Sequence, residues 1–289
     1  MPWRRGMRRL RVAWLPDGKR LHLKNGPVNL ILQAFGRPGE IGRAYDAAIE
    51  RARALVLELA EDLPRLQAGD APLNAVGLRA AAACAAVPGA LGAVTALTGA
   101  VADEVLAAMA QRAQMERAFV NNHGAVAFHL AEGQSITPNA MDWPDYQRYD
   151  ARVPIVSAAR ARGLAAGGWH YEGFALGCVD KIYLAAPSAA VAEAALGSIA
   201  ACMLPASGAQ TVPAEFLAPH SVLGSLPVYP PLQALAGDEA AAILAQGRAA
   251  SAALFAAGTI TLALAGLGED NFLVALPYLS LKSMLSLEA

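Results

Sequence analysis

The sequence predicts an α+β fold in which mixed or antiparallel sheets are layered against long helices. Three observations carry that reading. Strand-type segments gather in runs near both ends of the chain, two long stretches have helical periodicity, and the strands and helices do not alternate at the regular spacing of a doubly wound sheet. At 289 residues the chain is long enough to bury a substantial core. It reads as a single domain, 1–289, with an option of two intertwined α+β subdomains, about 1–133 and 151–289, joined by a loop at 134–150.

Leu10 to Leu15 and Arg20 to Leu23 flank Pro16-Asp17-Gly18-Lys19 and predict a hairpin. Pro27 to Gln33 has the branched and long apolar residues of a buried third strand. The period then changes. From Glu40 to Leu63 the apolar residues Ile41, Tyr45, Ala48, Ala52, Leu55, Leu59 and Leu63 fall at three- and four-residue steps, which predicts an amphipathic helix closed by Pro64. Leu78 to Val87 and Val101 to Met115 predict two more helices, the second with Asp103-Glu104 near its start, where a helix dipole favours negative charge.

Phe119 to Leu130 predicts two short strands broken at Asn121-Asn122-His123-Gly124, where the asparagines and the glycine tolerate left-handed backbone. Ser135 to Ala151 predicts a long loop, a candidate cover, and Val153 to Val156 a short strand. Gly163, Gly167 and Gly168 mark a flexible connection. Phe174 to Ala186 is strand-like, and Ser188 to Met203 predicts an alanine-rich helix capped by Ser188. Ala206 to Pro231 predicts an ordered, irregular traverse. Asp238 to Ala257 predicts a helix stopped by Gly258, and Thr259 to Ala265 with Phe272 to Leu276 a closing hairpin.

Composition narrows the function classes. A formal net charge of -1 and a pI near 6.5 leave no overall basic field, so no nucleic-acid partner is expected, and the cluster of Arg4, Arg5, Arg8, Arg9, Arg11, Lys19 and Arg20 reads as a solvated arm. Cys84, Cys178 and Cys202 are widely spaced in apolar sequence and suggest neither a disulfide framework nor a thiolate zinc site, which fits a reducing cytoplasm. Val12 to Leu15 is too short for a signal-peptide core, so export is not expected. Ala80 to Ala102 lacks charges and is long enough to span a bilayer, but its Ala and Gly content predicts buried helices, and no membrane partner is expected.

No phosphate-binding Walker loop, dinucleotide glycine fingerprint, zinc-protease motif or nucleophile elbow is present. The candidate site is the polar turn. Asn121, Asn122 and His123 place donors and acceptors together, Gly124 lets a ligand approach the backbone, and Thr98 is a further candidate contact. The alternative is a plain hairpin turn with exposed polar side chains. His123 is the candidate catalytic residue, because an imidazole titrates near neutrality. His123 and His129 lack a third ligand of obvious spacing, so no metal site is assigned. Asp180 lies in an otherwise apolar strand, so it is on a polar face or held by donors, and it joins the candidate cofactor contacts.

The passages NGPVNLILQAFG, AVTALTGAVADEVLAAM, ERAFVNNHGAVAFHLAEG, FALGCVDKIYLAAPSAAVAEAALGSIA and PHSVLGSLPV, in that order, resemble an uncharacterised bacterial and archaeal family related to the ApbE-type flavin transferases. The resemblance implies an ApbE-like layered α+β fold that can hold a flavin nucleotide and a magnesium ion. Relatives usually carry Asn-Asn-Gly-Gly-Asp where this chain reads Asn121-Asn122-His123-Gly124-Ala125, and Ala-Asp-Ala followed by a threonine where it reads Ala192-Glu193-Ala194 and Gly197. A Thr-Ser-Gly stretch has become Ser157-Ala158-Ala159. The magnesium site is therefore expected to be lost, since that ion demands near-octahedral oxygen geometry.

The resulting expectation is a cytoplasmic protein of cofactor metabolism that binds a small heteroaromatic ligand, a flavin nucleotide or a pterin, without classical FMN transfer. A second reading is a divergent enzyme of tetrahydromethanopterin-linked one-carbon metabolism using His123 as acid or base. A third is a non-catalytic scaffold, a homodimer among its options, with Ala80 to Met115 and Ser188 to Met203 as small-residue helices suited to close packing.

Overall fold

The computed structural model describes residues 10–137, 154–232, 237–268 and 270–275. The arginines at positions 4 to 9 and most of the expected cover, 138–151, lie outside them. The N-terminal hairpin forms as β1 (Arg11–Trp14) and β2 (Leu21–Asn25), followed by β3 (Val28–Phe35), α1 (Pro38–Gln67) and α2 (Ala75–Ala85). A short 3-10 turn (Ala93–Ala96) leads into α3 (Leu97–Arg112), then β4 (Arg117–Asn122) and β5 (Ala125–Leu130). β6 (Ser135–Ile136) and β7 (Ile155–Val156) pair in a small side sheet, and β8 (Gly163–Gly167), α4 (Trp169–Glu172), β9 (Lys181–Ala186) and α5 (Ala189–Cys202) follow. β10 (Val212–Pro213), α6 (Ala214–Leu217) and β11 (Pro227–Val228) punctuate the irregular traverse before α7 (Gly237–Ala256), β12 (Leu262–Leu267) and β13 (Asp270–Ala275).

One nine-stranded sheet organises the protein, in the order β1-β2-β3-β4-β5-β8-β9-β12-β13. It draws strands from both sides of the 134–150 segment without a break. Every strand pairing among the described residues is antiparallel, so of the mixed or antiparallel sheets expected, the antiparallel kind is found in an α+β fold.

The period of two divides the sheet's faces. Leu30, Leu32, Val120, Ala127, Ile182, Leu184 and Ala263 turn to the main core, where α1, α3, α5 and α7 pack. Their neighbours Phe119, Phe128, Leu130, Tyr183 and Leu264 join a smaller cluster on the opposite face. Burying one such Leu or Phe contributes roughly 1.5–3 kcal/mol before entropy is counted.

Several expectations are corrected. Pro64 does not close α1 at Leu63: the helix runs on to Gln67, since a proline within the last turn sacrifices one donor without blocking the remaining carbonyls, and Pro64 O accepts from Ala68. The glycines 163 and 167 are not a flexible connection but strand β8, inside the sheet. A Cβ on Gly163 would lie 2.0 Å from Ala189 N, so the glycine marks where the start of α5 presses on the strand. The strand expected from Phe174 is regular only from Lys181, as the segment before it wraps around the site. Thr259 lies not in the strand but in the turn that caps α7, where Gly258 (φ 72°) is left-handed and the Thr259 N–H reaches Leu254 O at 2.9 Å.

The helical run Ala93–Arg112 is long and apolar enough to cross a membrane by length and composition, and 61% of its most apolar window is buried within the protein. It is the central helix of the core. Cys84, Cys178 and Cys202 are free thiols.

Candidate functional site

The polar turn between β4 and β5 is a two-residue hairpin whose left-handed residues are His123 (φ 49°) and Gly124 (φ 88°), not the asparagines. Two consecutive positive φ values match the right-handed twist of the flanking strands. His123 is the only non-glycine with positive φ among the described residues. The asparagines hold the turn instead. Asn121 Oδ1 accepts the Gly124 N–H at 3.0 Å, while Asn122 is fully buried, its Oδ1 accepting from Asn29 N and its Nδ2 donating to Thr98 O. Asn122 thus ties β3 and the first turn of α3 to the hairpin, with no amide group left over for a ligand.

α4 closes over this turn. Gly168 (φ 110°) bends the chain so tightly that a Cβ would lie 2.5 Å from Asp180 O, and Trp169 Nε1 donates to Tyr229 O. The helix then sets Tyr171 on Gly124, where an added Cβ would come within 2.8 Å of the ring. Tyr183 meets Tyr171 edge to face, at 6.5 Å between ring centroids.

Two cavities meet here, one on each face of the sheet end. The larger, about 250 Å³, lies on the face away from the main helices and is lined by Asn29, Ile31, Asn121, His123, Tyr171 and Glu172. The smaller, about 80 Å³, lies on the helix side between Thr95, Thr98, Phe174, Glu193 and Leu196. His123 and Glu172 border both. Neither side chain has a hydrogen-bond partner among the described residues, and neither does the Tyr171 hydroxyl.

Behind the smaller cavity, α3 and α5 cap one another. Asp103 on α3 accepts the N–H groups of Ala189 and Ala190 at the start of α5, both at 3.0 Å, and Ser188 Oγ accepts from Val191 N in the same turn. In return Glu193 on α5 accepts the Gly99 N–H of α3 at 2.7 Å. α3 begins at Leu97, so Asp103 stands in its second turn and serves the neighbouring helix rather than its own dipole. Gly99 makes the approach possible, since a Cβ there would meet Ala189 O at 2.5 Å.

Burial shapes the charges. It pushes Glu193 up to about 8, with Glu172 and Asp103 adding to the rise and the Gly99 N–H opposing it. Asp103 is also raised by burial, against the pull of its two backbone donors. Glu172 has an exposed surface at the cavity mouth, yet protein atoms crowd its carboxyl from most sides and push it up to about 7. His123 is lowered, first by its surroundings and then by Lys24, and Tyr171 is raised by burial with Glu172 adding. Near neutrality the site therefore offers an imidazole without charge, a carboxyl that holds its proton and a second carboxyl poised to lose one.

Of the residues expected from sequence, Asn121, His123, Gly124 and Thr98 line the cavities. Asn122 stands behind them. Asp180 borders neither cavity; it is held by a donor, the Gly268 N–H at 2.6 Å. His129 bonds Met115 O at the far end of the hairpin, five strand residues from the turn, so it shares no site with His123. Tyr171 and Glu172 were not anticipated. The only signal was a short aromatic and acidic run, Trp169-His170-Tyr171-Glu172, between Gly168 and Gly173.

The molecule is thus an α+β protein with a two-chambered pocket at the end of its nine-stranded antiparallel sheet. It belongs to the bacterial family described as AbpE bacteria, which matches residues 12–273. No curated protein matches the chain.

Proposed function

We propose that this is a cytoplasmic protein of cofactor metabolism that binds a flavin or a similar flat heteroaromatic ligand at the His123 turn and does not catalyse classical FMN transfer. The observation that carries the reading is the larger cavity, where the Tyr171 ring stands over Gly124 beside Asn121, His123 and Glu172, whose side chains retain unused hydrogen-bonding capacity. An aromatic wall with a few convergent polar groups is what recognition of a flat heterocycle needs. Membership of a family whose name resembles ApbE, with the order of passages from NGPVNLILQAFG to PHSVLGSLPV, supports a distant relation to the flavin transferases.

The same relation would bring a magnesium ion, and the residues do not fit one. Ala125 and Gly197 have no side-chain oxygen, and Glu193 spends an oxygen on Gly99 N–H and holds its proton near neutrality. No group of three His, Cys, Asp or Glu converges among the described residues.

The test is a thermal-shift panel of flavins and pterins on the purified protein. A ligand at one hundred times its Kd should stabilise the fold by about 2.7 kcal/mol. A panel in which no compound moves the melting temperature sinks the reading. The second reading, a one-carbon enzyme, draws on the uncharged imidazole of His123 beside Glu172, an acid and base pair near neutrality. Turnover of a bound pterin substrate, lost in His123→Asn, is its signature.

A further inference from the structure

We propose that this same site, on the reading that it binds a heteroaromatic ring, selects one whose edge carries a ring N–H beside an exocyclic amino group, and rejects phosphorylated forms. The first ground is the chemistry of Glu172, which lines both cavities and accepts no hydrogen bond among the described residues. A carboxylate offers two coplanar acceptors and no donor. The edge that matches it is a pair of parallel N–H groups, as in the 2-amino-4-oxopyrimidine ring shared by guanine-type purines and aminopteridinones. A ring edge ending in carbonyl oxygens would face acceptor with acceptor.

Charge is the second ground. The groups facing Glu172 are His123, Tyr171 and Glu193, with Asp103 behind, and among the described residues no Lys or Arg lines either cavity. The cation whose charge acts on His123 is Lys24, exposed on β2 and not among the residues that line either chamber. A phosphate entering them would meet carboxyl groups without a compensating cation or an open helix N-terminus, since the first turns of α3 and α5 are already capped by Glu193 and Asp103. Size is the third. Pockets for drug-sized ligands run from roughly 300 Å³ upward. A chamber of about 250 Å³ with an annex of about 80 Å³ suits one fused ring and a short substituent, not a dinucleotide.

The experiment is calorimetric titration with matched pairs: 2-aminopteridin-4-one against pteridin-4-one, guanosine against inosine, and guanosine against its 5′-monophosphate. The amino member of the pteridine or the purine pair should bind at least about tenfold more tightly, and the pair showing the preference identifies the ring system. The preference should strengthen from pH 6 to pH 8 as Glu172 loses its proton. Phosphorylation should weaken binding. Glu172→Gln, at the last residue of α4 with no side-chain hydrogen bond among the described residues to lose, is expected to fold like the parent and should level the amino pairs. Equal affinities within both amino pairs, a tighter monophosphate, or a preference that survives Glu172→Gln overturns the proposal while leaving ring binding in place. No binding by these rings or by riboflavin overturns the proposal together with the reading it rests on.

Discussion

Glu193 and Gly99 join α5 to α3 through a 2.7 Å hydrogen bond in which a half-buried carboxyl caps the other helix, while Asp103 returns the contact to Ala189 and Ala190. The exchange fixes the inner wall of the smaller cavity. It also leaves two acidic side chains in a setting that opposes their charge, which gives the fold a pH dependence.

Glu193 is raised from 4.5 to about 8 in the folded protein. The native state therefore binds more protons than the unfolded chain between those values, and the stability contributed by this group falls as pH rises through that window. Glu193→Gln keeps an acceptor for Gly99 N–H and removes the charge. We expect the variant to be more stable than the parent by about 1–3 kcal/mol at pH 8, discounted from the full shift because the side chain borders a hydrated cavity, with no gain at pH 4.5. Thermal melts at both pH values decide it; equal stability at pH 8 would show that Glu193 is solvated.

Asp103 satisfies two backbone donors of α5 at once. Asp103→Ala should cost about 1–3 kcal/mol, because both N–H groups lose their partner in a buried place. Urea denaturation measures the loss, and a variant within about 0.5 kcal/mol of the parent would mean that water replaces the carboxylate.

Gly163 and the start of α5 are in backbone contact, with a Cβ position 2.0 Å from Ala189 N and from Ser188 C. Gly163→Ala must move a helix or a central strand, so we expect a loss of more than about 3 kcal/mol or no soluble protein. Gly39→Ala, where a Cβ meets nothing, is the control and should be neutral or slightly stabilising.

The contrast between those two glycines explains what was legible in the sequence. Strands such as Val28–Phe35 and helices such as α1 announce themselves through periods of two and 3.6, because one face of each is apolar. Gly163, Gly167 and Gly168 send the same local signal as a loop, and only the approach of α5 and Asp180 from distant sequence reveals why they are small. The site divides likewise. Asn121, His123 and Gly124 were visible as one polar cluster, whereas Tyr171 and Glu172 reach it through β8 and Gly168 from about fifty residues away. No local pattern encodes that meeting.

The donor set bears on flavin transfer. With Ala125 and Gly197 lacking side-chain oxygens and Glu193 occupied at Gly99, incubation with FAD, magnesium and a threonine-bearing acceptor peptide should release no AMP and leave the peptide mass unchanged. Multiple turnovers of AMP release that disappear in Glu193→Ala would show that Glu193 does ligate the metal.

His123 holds a left-handed backbone (φ 49°) in a turn that asparagine followed by glycine fills best, so His123→Asn should keep the fold. We expect its melting free energy to lie within about 0.5 kcal/mol of the parent or slightly above it, whereas His123→Val should lose about 1–2 kcal/mol, since a β-branched residue is strained at positive φ. The histidine is therefore not there for the turn. Its imidazole, lowered in pKa and bordering both cavities, accounts for the choice if it contacts the ligand, and His123→Asn should then weaken binding of the best ring by at least about tenfold at unchanged stability. Titration of His123→Asn beside a thermal melt separates the two roles, and a variant that keeps both its affinity and its stability would remove His123 from the site.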